Sequence, residues 1–183
     1  MFILRFMKKI YNLLLITTII LISGVALIGC NSEKNNKTIS LKNIQFELEG
    51  PLYSGSNPAQ YTYEVDLKSI LGKDYKEGAT INSAVLTSAQ IHTADSNTNF
   101  SNINSFVLSL ASDNKDVKMQ ELALLNPIPA NSKMAELKPS TEANAKGFLK
   151  EKHFYIVLDA DLKEDIEDNL KFTADLTFTI NYN

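Results

Sequence analysis

LKFTADLTFTI, residues 170–180, decides the fold. Leu170, Phe172, Ala174, Leu176, Phe178 and Ile180 fall at every second position. Lys171, Thr173, Asp175, Thr177 and Thr179 fill the positions between them. A helix would scatter both sets around its circumference. An extended strand puts one set on each face, so this run predicts a half-buried strand with its apolar face on a core.

The same period extends outward from there. Phe154, Ile156, Leu158, Ala160 and Leu162 alternate with His153, Tyr155, Val157, Asp159 and Asp161. The 163–169 linker between these two strands fits an antiparallel connection and is long for a tight hairpin. Toward the amino terminus, Ile44, Phe46 and Leu48 alternate with polar residues up to Gly50-Pro51, and Tyr61, Tyr63, Val65 and Leu67 repeat the pattern. Residues 81–93 read as a longer strand with Val85, Ala89 and Ile91 on one side. Strands at 105–110 and 117–125 follow, and 134–137 reads as a short edge strand closed by Pro139. Helical signal is thin: one turn at Leu67–Leu71 ended by Gly72, and a possible start at 141–146 into which Gly147 cuts. About eight short strands with turn residues between them predict an all-β antiparallel β-sandwich, immunoglobulin-like or jelly-roll-like. No Pro/Gly/Ser-rich linker divides 39–183, which reads as one domain.

The other end of the chain follows different rules. Arg5, Lys8 and Lys9 form a basic cluster, and Leu13 to Ile28 is an uncharged run of 16 residues ending in Leu27-Ile28-Gly29-Cys30. A permanent bilayer span needs roughly 20 apolar residues, whereas a signal-peptide core runs to about 15. The tetrapeptide resembles the lipobox of bacterial lipoproteins: Leu, a tolerant position, a small residue, then Cys. That resemblance covers residues 1–30. It implies a removable signal helix at 1–29 and covalent lipid on Cys30, with the bilayer as the anchor's partner. Asn31 is not the Asp that retains enteric lipoproteins in the inner membrane, so the resemblance favours the outer membrane in a cell that has one. Residues 30–38 then read as the lipidated cysteine and a polar, flexible tether, with the domain beginning at residue 39.

Charge and composition narrow the function classes. Of 18 basic residues, three lie in 1–29, leaving 15 Lys against 21 acids and a net charge of −6 beyond that segment. A moderately acidic domain without a basic tract argues against nucleic acid as a partner. A single cysteine gives no intrachain disulfide framework and no Cys-based zinc site. The two histidines, His92 and His153, fall on the less apolar faces of separate strands and outside metal-ligand spacing, so they read as solvated. Gly50 to Gly55 reads GPLYSG, which does not match a nucleophile elbow, and no phosphate-cradling glycine loop is present. The expectation is therefore a non-enzymatic envelope protein with no cofactor besides its covalent lipid, binding a protein partner in the envelope as a structural or interaction module.

Two sets of residues carry other readings. Tyr53, Tyr75 and Phe100 lie outside the strand registers, in loops rich in turn residues, and could form a ligand or adhesion platform for a glycan or a host protein if they cluster at one end of the sandwich. Equally, they could fold down as loop anchors at the edge of the core. Asp159, Asp161, Asp165 and Asp168, with Glu164 and Glu167 among them, offer hard oxygens to calcium, although the spacing lacks an EF-hand core and Lys163 intrudes. Equally, the run could be a solvated loop guarding an edge.

Overall fold

The computed structural model describes residues 35–95, 99–129 and 131–183. The readings made on residues 1–34 (signal helix, lipobox, Cys30 and the first part of the tether) lie outside them. Eight strands make up most of the rest: β1 (Asn35–Leu48), β2 (Gly55–Glu64), β3 (Ile81–Thr93), β4 (Ile103–Ala111), β5 (Gln120–Leu125), β6 (Met134–Pro139), β7 (His153–Leu162) and β8 (Leu170–Tyr182). Helix α1 (Leu67–Leu71) continues into a 3-10 turn at Gly72–Asp74, and a second 3-10 segment spans Ala145–Lys150.

The strands lie in the order β1-β8-β3-β6-β5-β4-β7-β2, antiparallel throughout. Among these pairs are β1 with β8, β2 with β7, β3 with β6 and β4 with β5, as if one long hairpin had been rolled up. That is the jelly-roll form of the sandwich, with β1, β8, β3 and β6 in one half and β5, β4, β7 and β2 in the other. The halves are continuous, because Ala123 and Leu124 of β5 pair with Pro139 and Lys138 of β6. Residues 134–139 are therefore not a free edge, as the short apolar run suggested; β6 is the seam between the halves. Likewise, the 163–169 connection does not close a hairpin: β7 and β8 belong to different halves, and the loop crosses between them.

The core is the set of residues on the inner faces. In β8 Phe172, Ala174, Leu176, Phe178, Ile180 and Tyr182 are buried, and in β7 Phe154, Ile156, Leu158, Ala160 and Leu162 are. In β3 the alternation breaks, because the register shifts between Leu86 and Ser88. The inserted residue reverses the parity, so Ala84 and Leu86 point inward before it and Ala89 and Ile91 after it. Val85 is consequently on the outer face, not beside Ala89 and Ile91 as strict alternation would put it.

The amino-terminal boundary also moves. Asn35, Asn36, Lys37 and Thr38 pair with Tyr182, Asn181, Ile180 and Thr179, so they extend β1 instead of the tether. Their polarity hid this, since an edge strand near its open end has little apolar surface to cover. Further along β1 the register slips between Leu41 and Ile44, with Asn43 at φ 60° donating its amide to Asp175 Oδ1 at 2.8 Å. Such a bulge twists an edge strand away from regular pairing with other chains.

Candidate functional site

Each strand runs opposite to the one before it in the chain, so the connections fall at two ends. The tether end holds Asn35, the β2–β3, β4–β5 and β6–β7 connections and the carboxy terminus: Asn35 and Ile81 both pair with Tyr182, and Glu64 pairs with His153. The opposite, distal end holds the β1–β2, β3–β4, β5–β6 and β7–β8 connections: Gly55 and Ile103 both pair with Leu162.

The three loop aromatics do not form a platform. Phe100 is 1% exposed, folded under the distal end onto Phe106 (ring centroids 5.1 Å, 85°) and Phe172 (6.0 Å, 54°). Its backbone is fixed as well, with its amide donating to Ser132 O and its carbonyl accepting from Ile103. Tyr75 is at the tether end, half-buried, with Lys68 Nζ 5.7 Å from its ring centre. Tyr53 alone keeps the expected exposure, at 66%, in the β1–β2 connection. Two of the three are thus loop anchors, and the platform reading is corrected on Phe100 and Tyr75.

The acidic residues are likewise divided. Asp159 and Asp161 belong to the outer face of β7, whereas Asp165 and Asp168 are exposed in the distal β7–β8 connection. Asp165 Oδ1 accepts the Ser54 amide at 2.8 Å and ties the two distal loops together. Asp159 Oδ2 accepts from Ser56 Oγ at 2.7 Å, and its Oδ1 is buried without a hydrogen-bond partner. Among the described residues no three His, Cys, Asp or Glu side chains converge on a point where a cation would sit. The distal loops also approach each other very closely: a Cβ on Gly50 would lie 2.2 Å from the Glu167 carbonyl oxygen, so only glycine fits there.

The tether end has more side-chain structure than its sequence announces. Asp66 caps α1, accepting from the Lys68 amide at 2.9 Å and Ser69 Oγ at 2.6 Å, and these bonds hold its carboxyl below the usual range. Gly72, at φ 55°, ends the helix where a side chain would be strained. Lys37 of β1 donates to the Leu71 carbonyl and to Asp74 Oδ2, binding the first strand to that connection. On the outer face, His153 Nε2 and Tyr155 OH both reach Asp113 Oδ2, at 3.1 and 2.9 Å. The His153 and Tyr155 bonds lower the Asp113 pKa, and the bond to Asp113 raises that of Tyr155. His153 is therefore engaged with a carboxylate instead of simply solvated. The same-face spacing of His153 and Tyr155 was visible in the alternation; Asp113 comes from the β4–β5 loop, and nothing in the linear order pairs it with them. The trio pins that loop to β7.

Between the sheets, the inner-face side chains of the described residues pack closely. The apolar cavity bounded by Ile39, Leu41, Tyr63, Phe154 and Phe178 holds only about 20 Å³. Two open grooves are larger. One, of about 700 Å³, runs between the β1 and β2 edges past Asn43, Gln45, Glu47 and Gln60, with Lys171 and Glu47 ion-paired at 3.0 Å beside it. The other, of about 460 Å³, opens at the tether end with Val65, Leu67, Ala79, Ile81 and Leu149 as its apolar walls and Lys150 and Lys152 at its rim.

No family model matches the chain, and no curated protein matches it. Among solved structures, the chain is similar to the decameric BFDV capsid protein at 13% identity, over 81% of this chain and 100% of that one, with a TM-score of 0.39. The same capsid protein as a 60-mer matches at 12% identity, 83% and 95% coverage and a TM-score of 0.35. The capsid of Helicobacter pylori bacteriophage KHP30 matches at 10% identity, 79% and 98% coverage and a TM-score of 0.31. Likenesses this distant decide no question of function.

Proposed function

We propose that the chain is a bacterial envelope lipoprotein, lipidated on Cys30, whose jelly roll is a non-enzymatic protein-interaction or structural accessory module. The observation that carries this reading is the junction: β1 opens at Asn35, five residues past the lipobox cysteine, so the fold begins almost at the anchor. Two or three acyl chains at such a position give stable membrane attachment where one would not. An accessory role is supported by the closely packed inner faces of β7 and β8, which leave edges, outer faces and loops as surfaces for contact. β1 and β2 end the strand order; β1 is guarded by its bulge, whereas β2 pairs with β7 without a register shift, and an added strand from a partner is the contact such an edge makes. Asn31 favours the outer membrane in a cell that has one. A second reading, a surface-displayed module for a glycan or host protein, rests on Tyr53, which stands exposed among the distal loops.

Labelled palmitate tests the anchor: the wild type takes it up, and the Cys30→Ala protein does not. Labelling of Cys30→Ala overturns the lipobox reading. Protease treatment of intact and lysed cells, followed by cross-linking in place, tests the role. Protection until lysis with a discrete cross-linked heterocomplex supports the accessory module. Digestion in intact cells with no complex favours the surface module.

A further inference from the structure

We propose that the tether end of the sandwich rests on anionic lipid headgroups, with the distal acidic loops held away from the bilayer; this rests on lipidation of Cys30. Chain length supplies the first argument. The stretch from Cys30 to Asn35 reaches at most about 18 Å. The 13 residues of β8 cover about 40 Å from the distal loops to the tether end. The Asn35 end must therefore stay close to the lipid, while the distal loops stand a strand's length further along.

Charge supplies the second. Lys73 and Lys76 in the β2–β3 connection, Lys115 and Lys118 in β4–β5, and Lys150 and Lys152 in β6–β7 are all exposed at the tether end. Several acids there are engaged by the domain itself: Asp66 by the start of α1, Asp74 by Lys37, Asp113 by His153 and Tyr155, and Glu151 by Asn114. With Glu77, Asp116 and Glu142 on one side and Lys68 and Lys146 on the other, the three connections hold eight lysines and seven acids, close to neutral, with the six lysines named above exposed. The distal end is net acidic, because Glu49, Glu164, Asp165, Glu167 and Asp168 outnumber Lys133 and Lys163. An anionic surface repels the acidic second end within about a Debye length, roughly 8 Å at physiological salt, and lets the near-neutral first end approach with its exposed lysines foremost. The groove of the tether end adds a matching chemistry: apolar walls suited to a glycerol backbone or acyl segment, and Lys150 and Lys152 suited to a phosphate, with Glu151 between them held by Asn114.

The test uses the full lipidated protein in phosphatidylglycerol-containing vesicles whose headgroups carry a nitroxide quencher. With the Cys30 thiol acylated, Lys76→Cys, Lys115→Cys and Glu164→Cys each offer one site for a fluorophore. Quenching at Lys76→Cys and Lys115→Cys should be several times that at Glu164→Cys. The difference should shrink by half or more in phosphatidylcholine vesicles or at high salt. Equal quenching at all three sites, or a difference indifferent to lipid charge and salt, overturns the proposal. Palmitate incorporation measured on the same preparation separates the two levels. An acylated protein with equal quenching sinks the orientation alone, and a protein without palmitate sinks the anchor reading and the orientation with it.

Discussion

Truncating Phe100 to alanine distinguishes a loop anchor from a ligand contact. The ring is 1% exposed and edge-on to Phe106, which is itself edge-on to Phe172 at 5.3 Å. Emptying such a site removes transfer energy and leaves a cavity, together about 3–5 kcal/mol for a Phe→Ala change in a core. The neighbours are other rings held by two sheets, which resist collapse into the space, so about 4 kcal/mol is expected. For a domain of this size each kcal/mol moves Tm by about 2–4 °C, which gives a fall of about 8–16 °C. In urea the midpoint should drop by about 2 M for a slope near 2 kcal/mol/M, with the slope unchanged. The assay is chemical and thermal unfolding of the compact unit Lys34–Asn183, with Tyr53→Ala as its partner measurement. Tyr53, 66% exposed, should cost no more than about 0.5 kcal/mol. A Phe100→Ala loss below about 1 kcal/mol, or a Tyr53→Ala loss as large as that of Phe100→Ala, would refute the placement of the ring in the core.

Other outcomes follow from the same geometry. Phe178→Asp puts an unpaired charge at a site 5% exposed and should abolish cooperative unfolding, while Thr177→Asp, one residue along on the outer face, should shift the urea midpoint little; equal effects would undo the face assignment of β8. Gly50→Ala should cost about 1–3 kcal/mol in denaturant, since its Cβ meets the Glu167 carbonyl and the two distal loops must part. The carboxyls of Glu47, Asp66 and Asp113 are held below their ordinary values by hydrogen bonds from Lys171, Ser69 and His153 respectively. The unfolded chain therefore binds more protons below about pH 4, so their stabilisation is present above that pH and is lost as pH falls through the folded values. Midpoints measured from pH 6 to pH 2 should fall steeply in the acid limb, and less steeply in Asp113→Asn. Burial of Tyr63 and the bond from Tyr155 to Asp113 raise both phenols, so a second loss is expected as pH climbs above about 10.

What the sequence made legible was local, and what it hid was pairing. The limits of β7 at His153 and Leu162, of β3 at Ile81 and Thr93, and of the helical turn at Leu67–Leu71 coincide with the alternation and with Gly72. Those signals need no distant partner, because side-chain period and a glycine cap act within a few residues. Strand order depends on which apolar faces meet across more than a hundred residues, and alternation at Phe46 and at Phe172 says nothing of their adjacency in β1 and β8. Polar edge strands fail for the same reason: Asn35 to Thr38 are held by the β8 ladder and not by burial. The loop aromatics show the limit on sites. Phe100 and Tyr53 sit in equally polar stretches, and only the position of Phe106 and Phe172 beneath one of them separates anchor from exposed ring. The clustering of His153 and Tyr155 on Asp113 could not be read either, because a loop carboxylate has no period to follow.

One global feature follows from strand number alone. In a sheet where every strand reverses the last, a chain of eight strands returns to the end from which it set out, whichever strands become neighbours. An odd count would have put the termini at opposite ends. Eight strands among the described residues therefore place the end of β8 beside Asn35, as the shared pairing of Asn35 and Ile81 with Tyr182 requires. The same parity divides the seven connections into three beside the tether and four opposite it. The three hold eight lysines against seven acids, and the four hold two lysines against six acids. On the proposed lipid anchor, the loops free to meet a partner away from the membrane are the four distal ones, with Tyr53 and the Asp165-bridged pair among them. A fusion at Asn183 would share the tether end. Proximity labelling from an enzyme fused there should mark membrane-proximal neighbours, whereas the same enzyme inserted between Glu164 and Asp165 should mark whatever the distal loops engage. Identical labelled sets from the two positions would show that the two ends do not face different surroundings.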